Sequence, residues 1–440
     1  MLPSKVIPPT TRTVVDLRVP GVDGRVTLSL KRDATTLAVN TVPSFTFDLK
    51  GRLMGGFADG RTYRRTLDHR VIEKRGEYTE GRRERERREI SADEVRTLCD
   101  TAYGYAQAVG AALAAGTAEI VGVTGDDGWQ AWATASLDSI TRWDDARLAA
   151  DAEEFLRIYR PIGILPPDQY RALVLQATLG CSYNRCTFCT FYRGQSFRIK
   201  LLPDFERHIA AVRTFHGAAL ASYHSIFLGE ANALVAPQRL LLPMLDAVNA
   251  AFPVAPWDLS GAARARWLAE HSPAFDGVYA FVSALDALRK SPSDIAEMRK
   301  RGLRRVYIGL ESGDEGLLRF LEKPNTAAQA VEGVESIKAG GVAVGVVIML
   351  GVGGERYAAD HVAHTVEVLN SMGLGGDDIL YFSEFVETPG LPYSERAARE
   401  GIAPMPAPAV RAQRALIQGA LRFRDTPPKL AVYDIREFAY

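Results

Sequence analysis

Six apolar runs alternate with helix-patterned segments across the second half of this 440-residue chain, and that alternation constrains the fold more than any other feature. The runs are ALVLQAT (172–178), SIFLGE (225–230), VYAFVSA (278–284), RVYIGLESG (305–313), VAVGVVIMLG (342–351) and DILYFSEF (378–385). Between them lie segments such as PQRLLLPMLDAVNAAF, PSDIAEMRKRG and YAADHVAHTVEVLNSM, whose apolar residues recur at helical spacing. A strand apolar on both faces must be covered on both, and parallel neighbours need a crossover helix, so the pattern predicts a parallel sheet dressed by helices. Six such units are too few to close an eightfold barrel and suit a partial one. Its chemistry then belongs at the C-terminal ends of the strands.

The first half reads differently. From about 25 to 75, VTLSLKR, TLAVNTV, SFTFDL, RLMGGF and RTYRRTL are short strands with turn punctuation, and Asp59-Gly60 is a hairpin signal. EGRRERERRE (80–89) interleaves five arginines with four glutamates and reads as a solvated connector. Ser91 and Glu94 have the spacing of a capping box ahead of a helix that carries Cys99, expected to be a buried, inert thiol. A second helical region spans about 137–159, and prolines at 161, 166 and 167 mark a boundary. The expected class is α/β, with this division: 1–90 antiparallel and β-rich with a charged connector; 91–168 helical; 169–395 the partial (β/α)6 barrel; 396–440 a Pro/Ala linker, helix and tail. The first two stretches together make a small α+β N-terminal domain.

Bulk properties exclude several classes. The 53 basic and 53 acidic residues cancel, so no global field draws nucleic acid or anionic lipid. No apolar run approaches the ~20 residues of a membrane span, and the N-terminal MLPSKVIPPTTRTVVDL lacks the apolar core of a secretory signal. Four cysteines are too sparse for a secreted disulfide scaffold. A cytoplasmic location is expected.

Three of those four cysteines, Cys181, Cys186 and Cys189, crowd into GCSYNRCTFC directly after the first apolar strand. Three thiolates can hold three irons of a [4Fe–4S] cube and leave the fourth iron open, whereas an electron-transfer cluster takes four. Zinc, with His208, His216 or His224 completing a closed tetrahedral set, stays open on spacing alone, as does a redox dithiol of Cys186 and Cys189. Arg193, Arg198 and Lys200 just beyond are candidate carboxylate partners.

GCSYNRCTFC followed by TFYRG resembles the cluster loop of radical S-adenosylmethionine (SAM) enzymes, with four rather than the commoner three residues between the first two cysteines. LGEANAL (228–234), YIGLESG (307–313) and LGVGGE (350–355) resemble that superfamily's elements after its second, fourth and fifth strands, in the branch related to anaerobic coproporphyrinogen oxidase and the methylthiotransferases. The resemblance spans roughly 170–390. It implies a partial barrel of radical SAM type, with a [4Fe–4S] cluster on Cys181, Cys186 and Cys189 and SAM chelating the open iron. It also implies SAM contacts from Gly229, Glu230, Ser283, Glu311 and Ser312, with Phe188 and Tyr192 flanking the adenine.

The implied activity is reductive cleavage of SAM to a 5′-deoxyadenosyl radical that abstracts hydrogen from a substrate, with electrons from a donor such as flavodoxin or ferredoxin. Cys99 alone cannot hold a second cluster, and the Asp-x-His-x-x-Gly pattern of cobalamin binding is missing, so sulfur insertion and cobalamin-dependent methylation are disfavoured. A small-molecule substrate is expected. The alternatives are a modifier of RNA or protein, and a non-enzymatic metal-binding protein.

Overall fold

The computed structural model describes residues 12–79 and 82–440. It divides into two units: the residues up to Pro161 with Ala210–Tyr223 and Ala439–Tyr440, and Ile162–Ile209 with His224–Phe438. Residues 1–11, and residues 80 and 81 of the charged run, lie outside the described residues.

In the first unit, nine strands form one antiparallel sheet: β1 (Thr13–Arg18), β2 (Val26–Leu30), β3 (Ala34–Val39), β4 (Ser44–Asp48), β5 (Leu53–Ala58), β6 (Arg61–Arg65), β7 (Val71–Thr79), β8 (Arg82–Glu89) and β9 (Glu119–Thr124). The order is β8-β7-β6-β5-β4-β3-β2-β1-β9. Asp59 and Gly60 take φ of 50° and 72° in the two-residue turn that pairs Ala58 with Arg61, the left-handed geometry a tight hairpin demands. Helices α1 (Ala92–Ala114), α2 (Trp129–Ile140) and α3 (Asp145–Ile158) share a core with the sheet that includes Leu28, Phe45, Cys99, Trp132 and Leu148. Ser91 and Glu94 close the capping box of α1.

Two expectations change here. The charged run is no connector: Arg82–Glu89 is strand β8, whose register sets Arg88 opposite Glu73 and Glu86 opposite Arg75. Charges that cancel along the sequence attract across the ladder instead. Arg88 forks onto Glu73 (3.0 and 3.1 Å) and also reaches Glu94 (2.7 Å). Second, β9 interrupts the stretch read as helical. It adds to the sheet beside β1, a partner more than a hundred residues back that local periodicity cannot reveal.

A buried ion network fastens α3 to the turn between β4 and β5. Arg52, 1% exposed, donates from Nε to Asp48 (2.6 Å) and from Nη1 to Asp151 (3.1 Å). Cys99 is fully buried in α1, and that burial pushes its thiol up to about 12.

The second unit is built on a parallel sheet: β10 (Ala172–Gln176), β13 (Ser225–Gly229), β14 (Val278–Phe281), β15 (Leu303–Glu311), β16 (Ala343–Leu350), β17 (Ile379–Glu384) and β18 (Lys429–Val432), in that order. The short pair β11 (Thr178–Leu179) and β12 (Arg198–Ile199) is separate. The first six strands are those the apolar runs predict. The seventh, β18, comes from the tail and extends the open barrel at its far edge beside β17. It is short and largely exposed; LAVYDI reads as strand-like in the sequence, but nothing local assigns it to this sheet.

Helix α4 (Leu202–His216) is divided between the units after Ile209, and the other helices here are α5 (Gln238–Ala251), α6 (Gly261–Glu270), α7 (Ala284–Ala287), α8 (Pro292–Lys300), α9 (Glu315–Phe320), α10 (Ala327–Ala339), α11 (Gly354–Ser371), α12 (Pro392–Arg399) and α13 (Ala407–Ala420). Below the strands' N-terminal ends, Asp168 accepts from the hydroxyls of Tyr307 and Tyr381 (both 2.6 Å) and from Arg305 (3.0 Å), closing the floor of the barrel. Among the described residues, no helix is long and apolar enough to cross a membrane.

Candidate cluster and cofactor site

A cavity of about 260 Å³ opens at the C-terminal ends of the parallel strands, and all three clustered cysteines line it. The neck of their loop is the β11–β12 pair, which holds the chain together at Leu179 and Arg198. Inside the loop, Asn184 takes φ +49°, a conformation Asn tolerates better than most residues. That turn accommodates the four-residue spacing and brings the Asn184 N–H to Cys181 Sγ at 3.4 Å, while its side-chain amide donates to the carbonyl of Tyr192 (2.9 Å). Arg193 clamps the far side: Nε donates to the Cys189 carbonyl (2.8 Å) and Nη2 to those of Cys186 (2.9 Å) and Thr187 (3.3 Å). Arg193, a candidate carboxylate partner from the sequence, is occupied in shaping the loop.

Of the seven residues that the motif resemblance offered for the cofactor, Phe188, Tyr192, Ser283 and Glu311 line the cavity. Gly229, Glu230 and Ser312 do not. Glu230 is buried: one carboxylate oxygen accepts from Gln176 Nε2 at 2.6 Å and the other from the backbone N–H of Gly180, the residue before Cys181. Gly229 lies in β13 against Val174, where a Cβ would meet Val174 Cγ1 at 3.3 Å. Ser312 is fully buried, shares a hydrogen bond with His361 Nδ1 (2.7 Å) and accepts from the N–H of Asp314 (3.0 Å).

Glu311 is the best-defined polar group on that wall. The pairing of β15 with β16 shifts between Gly309 and Glu311, and Glu311 takes φ +63°, so the strand end is bulged and the side chain re-aimed. Its Oε1 meets Lys323 Nζ at 3.2 Å, and the same ammonium donates to the Gly309 carbonyl at 2.9 Å. A Cβ at Gly309 would lie 2.2 Å from Glu311 Oε1, so the glycine leaves the space that the carboxylate folds into.

Sequence reasoning passed over Lys323, which follows α9 with no periodic cue. Burial opposes its charge, but Glu311 and the Cys186 thiol raise its pKa overall. Burial pushes the Cys186 thiol up to about 11, with Lys323 pulling the other way. Asn232 was missed too, although it sits inside the LGEANAL segment. Its amide donates to Ser182 Oγ (3.0 Å) and Asp286 Oδ2 (2.6 Å), and its oxygen accepts from the N–H of Ser283 (3.2 Å), tying the cysteine loop to the end of β14.

The donor set fits an iron–sulfur cube with an open iron: three free thiols on one cavity, with Cys99 in the core of the other unit. The histidines a zinc site would need are elsewhere. His208 Nε2 accepts from the backbone N–H of Gln176 (3.0 Å), His216 belongs to the first unit, and His224 precedes β13 at the opposite end of the strand. Among the described residues, no group of three or more His, Cys, Asp and Glu side chains converges as a single ion requires.

Solved structures with a similar fold include the cobalamin-dependent SAM radical enzyme OxsB (13% identity, 56% of this chain and 31% of that one, TM-score 0.35) and coproporphyrinogen III oxidase HemN from Escherichia coli (12%, 62% and 54%, TM-score 0.38). A third is the radical SAM methyltransferase TsrM from Kitasatospora setae, solved with cobalamin and a [4Fe–4S] cluster (15%, 55% and 41%, TM-score 0.38). The chain spans about a third of the length of OxsB, and likenesses this distant carry nothing about substrate. No curated protein matches the chain. Residues 175–367, from the end of β10 into α11 and including the three thiols and the Glu311 strand end, match the Radical SAM superfamily. Those residues, somewhat under half of the chain, form a radical SAM domain, and the superfamily's members are enzymes that use a [4Fe–4S] cluster and SAM.

Proposed function

We propose that Cys181, Cys186 and Cys189 hold the cluster, and that the cavity they line is both the SAM site and the chamber in which hydrogen is abstracted from a small-molecule substrate. The observation that carries this reading is the convergence of three thiols, the Glu311–Lys323 pair and an apolar wall on one cavity at the strands' C-terminal ends. When bound, the cluster supplies one electron and SAM the 5′-deoxyadenosyl radical.

The chain's own residues do the rest. Lys323 and Glu311 offer opposite charges to the methionyl carboxylate and ammonium of SAM, and Ser283 adds a hydroxyl at the cavity wall. Phe188 and Tyr192 flank the adenine. Glu230, Arg193 and Asn232 hold the cysteine loop in place, and the aromatic wall excludes water from a reactive centre. The modest cavity favours a metabolite over RNA or a folded protein. A soluble one-electron donor such as flavodoxin or ferredoxin fits a cytoplasmic setting.

Anaerobically reconstituted protein given SAM and dithionite is expected to yield methionine and 5′-deoxyadenosine. With deuterated metabolite extract, the label is expected in 5′-deoxyadenosine. A cluster-loaded protein that leaves SAM intact overturns the reading; turnover stimulated by RNA and not by metabolites transfers it to a macromolecular substrate.

A further inference from the structure

Charge is distributed unevenly over the cavity. Apart from the thiols, its lining contains three acidic or basic side chains: Glu311, Lys323 and Glu384. The first two neutralise each other. Glu384 ends β17, opposite Leu350 of β16, and among the described residues no side chain hydrogen-bonds or ion-pairs with its carboxylate. The cation that feels its field, Arg436, spends its fork on Asp434, with Nε and Nη2 donating to the two carboxylate oxygens at 2.8 Å each. The bound cofactors do not alter the sum. An oxidised cube with three thiolates carries a single negative charge and SAM a single positive one. What remains is one uncompensated carboxylate at the rim of a largely apolar chamber.

The wall around it is suited to a cation with an apolar body. Phe281, Tyr307, Phe385 and Tyr433 line the same cavity, and the Phe281 and Tyr307 rings meet edge to face at 5.8 Å. Aromatic faces attract an ammonium and pack against hydrocarbon, while Glu384, exposed at the mouth beside that apolar wall, repels anions and leaves neutral ligands without a charged partner. Resting on the reading that this cavity is the substrate chamber, we propose that Glu384 is its cation-recognising residue. The substrate class is then a small amine, protonated at neutral pH, with an apolar or aromatic body.

The test is equilibrium dialysis of three probes of nearly equal size, phenethylammonium, 2-phenylethanol and phenylacetate, against cluster-reconstituted protein with and without SAM. The ammonium is expected to bind about tenfold more tightly than the alcohol, with the acid weaker still, and Glu384→Gln is expected to erase the preference. Equal binding of ammonium and alcohol, no measurable ammonium binding, or a preference that survives Glu384→Gln overturns the proposal. The wild-type ratio is informative even if the variant folds poorly. Formation of 5′-deoxyadenosine is scored in parallel: ammonium preference without SAM cleavage sinks the cofactor reading alone, and SAM cleavage without preference sinks the cation site alone.

Discussion

Gly309→Ala separates the chemistry of the site from the stability of the fold. The new methyl would lie 2.2 Å from Glu311 Oε1 and 3.2 Å from its carboxyl carbon, with Lys323 Nζ at 3.5 Å. The atom struck first is the far end of a flexible side chain, so the carboxylate can swing away. Because Gly309 has no positive φ, no backbone strain is added. Overpacking a tight core costs ~1–3 kcal/mol, and a yielding neighbour puts this variant near the low end.

The functional cost is larger. Displacing Glu311 removes a charge-assisted hydrogen bond, worth ~1.5–3 kcal/mol, from the wall proposed above to receive SAM. At 1.4 kcal/mol per decade, SAM affinity falls about 10- to 100-fold. Gly345→Ala is the contrasting variant: its methyl would lie 2.3 Å from the Tyr307 ring, which Asp168 pins through the hydroxyl, so nothing can yield and the loss is in stability. The pair is compared by thermal melting and by isothermal titration of SAM into cluster-loaded protein. If Gly309→Ala binds SAM as the parent does, Glu311 is not a SAM contact.

Other expectations follow from the same geometry. Replacing Cys181, Cys186 or Cys189 by Ala should abolish the cluster's visible absorption and lower bound iron, whereas Cys99→Ala should leave both; equal loss in all four contradicts the ligand assignment. His361 is fully buried, and burial holds its pKa down at about 4 against 6.5 for a free imidazole. The unfolded chain therefore takes up a proton at a pH where the folded one does not. Stability should be intact above pH 6.5 and decline by roughly 3 kcal/mol as pH falls toward 4, and urea melts of His361→Gln should lack that part of the slope. Arg52→Ala removes the guanidinium between two buried carboxylates, leaving Asp151 with Lys50 at 3.6 Å and Asp48 with backbone N–H groups, and should cost about 3 kcal/mol, read from the denaturant midpoint; a change within error would mean that those remaining partners already satisfy the network.

Legibility followed the range of the interactions. The six apolar strands and the capping box at Ser91 depend on local spacing, and the chain displays them openly. β8 was hidden because its partners supply the meaning: RRERERRE looks like a soluble tether until Glu73 and Arg75 stand opposite it. β9 and β18 each add to an edge strand that sequence periodicity does not connect them with. The same holds in the site. The thiols announce themselves by crowding, but Lys323 and Asn232 are ordinary residues made important by what faces them.

Of the three motif residues that do not line the cavity, Glu230 has a second way to serve the site, through the cysteine loop it holds. Glu230 receives the N–H of Gly180, so the position where the cysteine loop leaves β11 is set by a carboxylate on the neighbouring strand end. Asn232, two residues on, holds Ser182 inside that loop, and Arg193 binds the carbonyls of its last two cysteines. Three polar side chains thus fix the beginning, the interior and the end of a loop that has little regular structure of its own. A thiol loop held this way is arranged before any cofactor arrives, and ordering it at binding would otherwise cost ~1–2 kcal/mol per residue. On that argument Glu230→Gln, which keeps the shape and weakens the charge-assisted bond to Gly180, should slow cluster assembly more than it lowers SAM affinity once the cluster is in place. Iron incorporation followed over time beside SAM titration separates the two. Equal incorporation rates combined with weakened SAM binding would return Glu230 to direct contact with the cofactor.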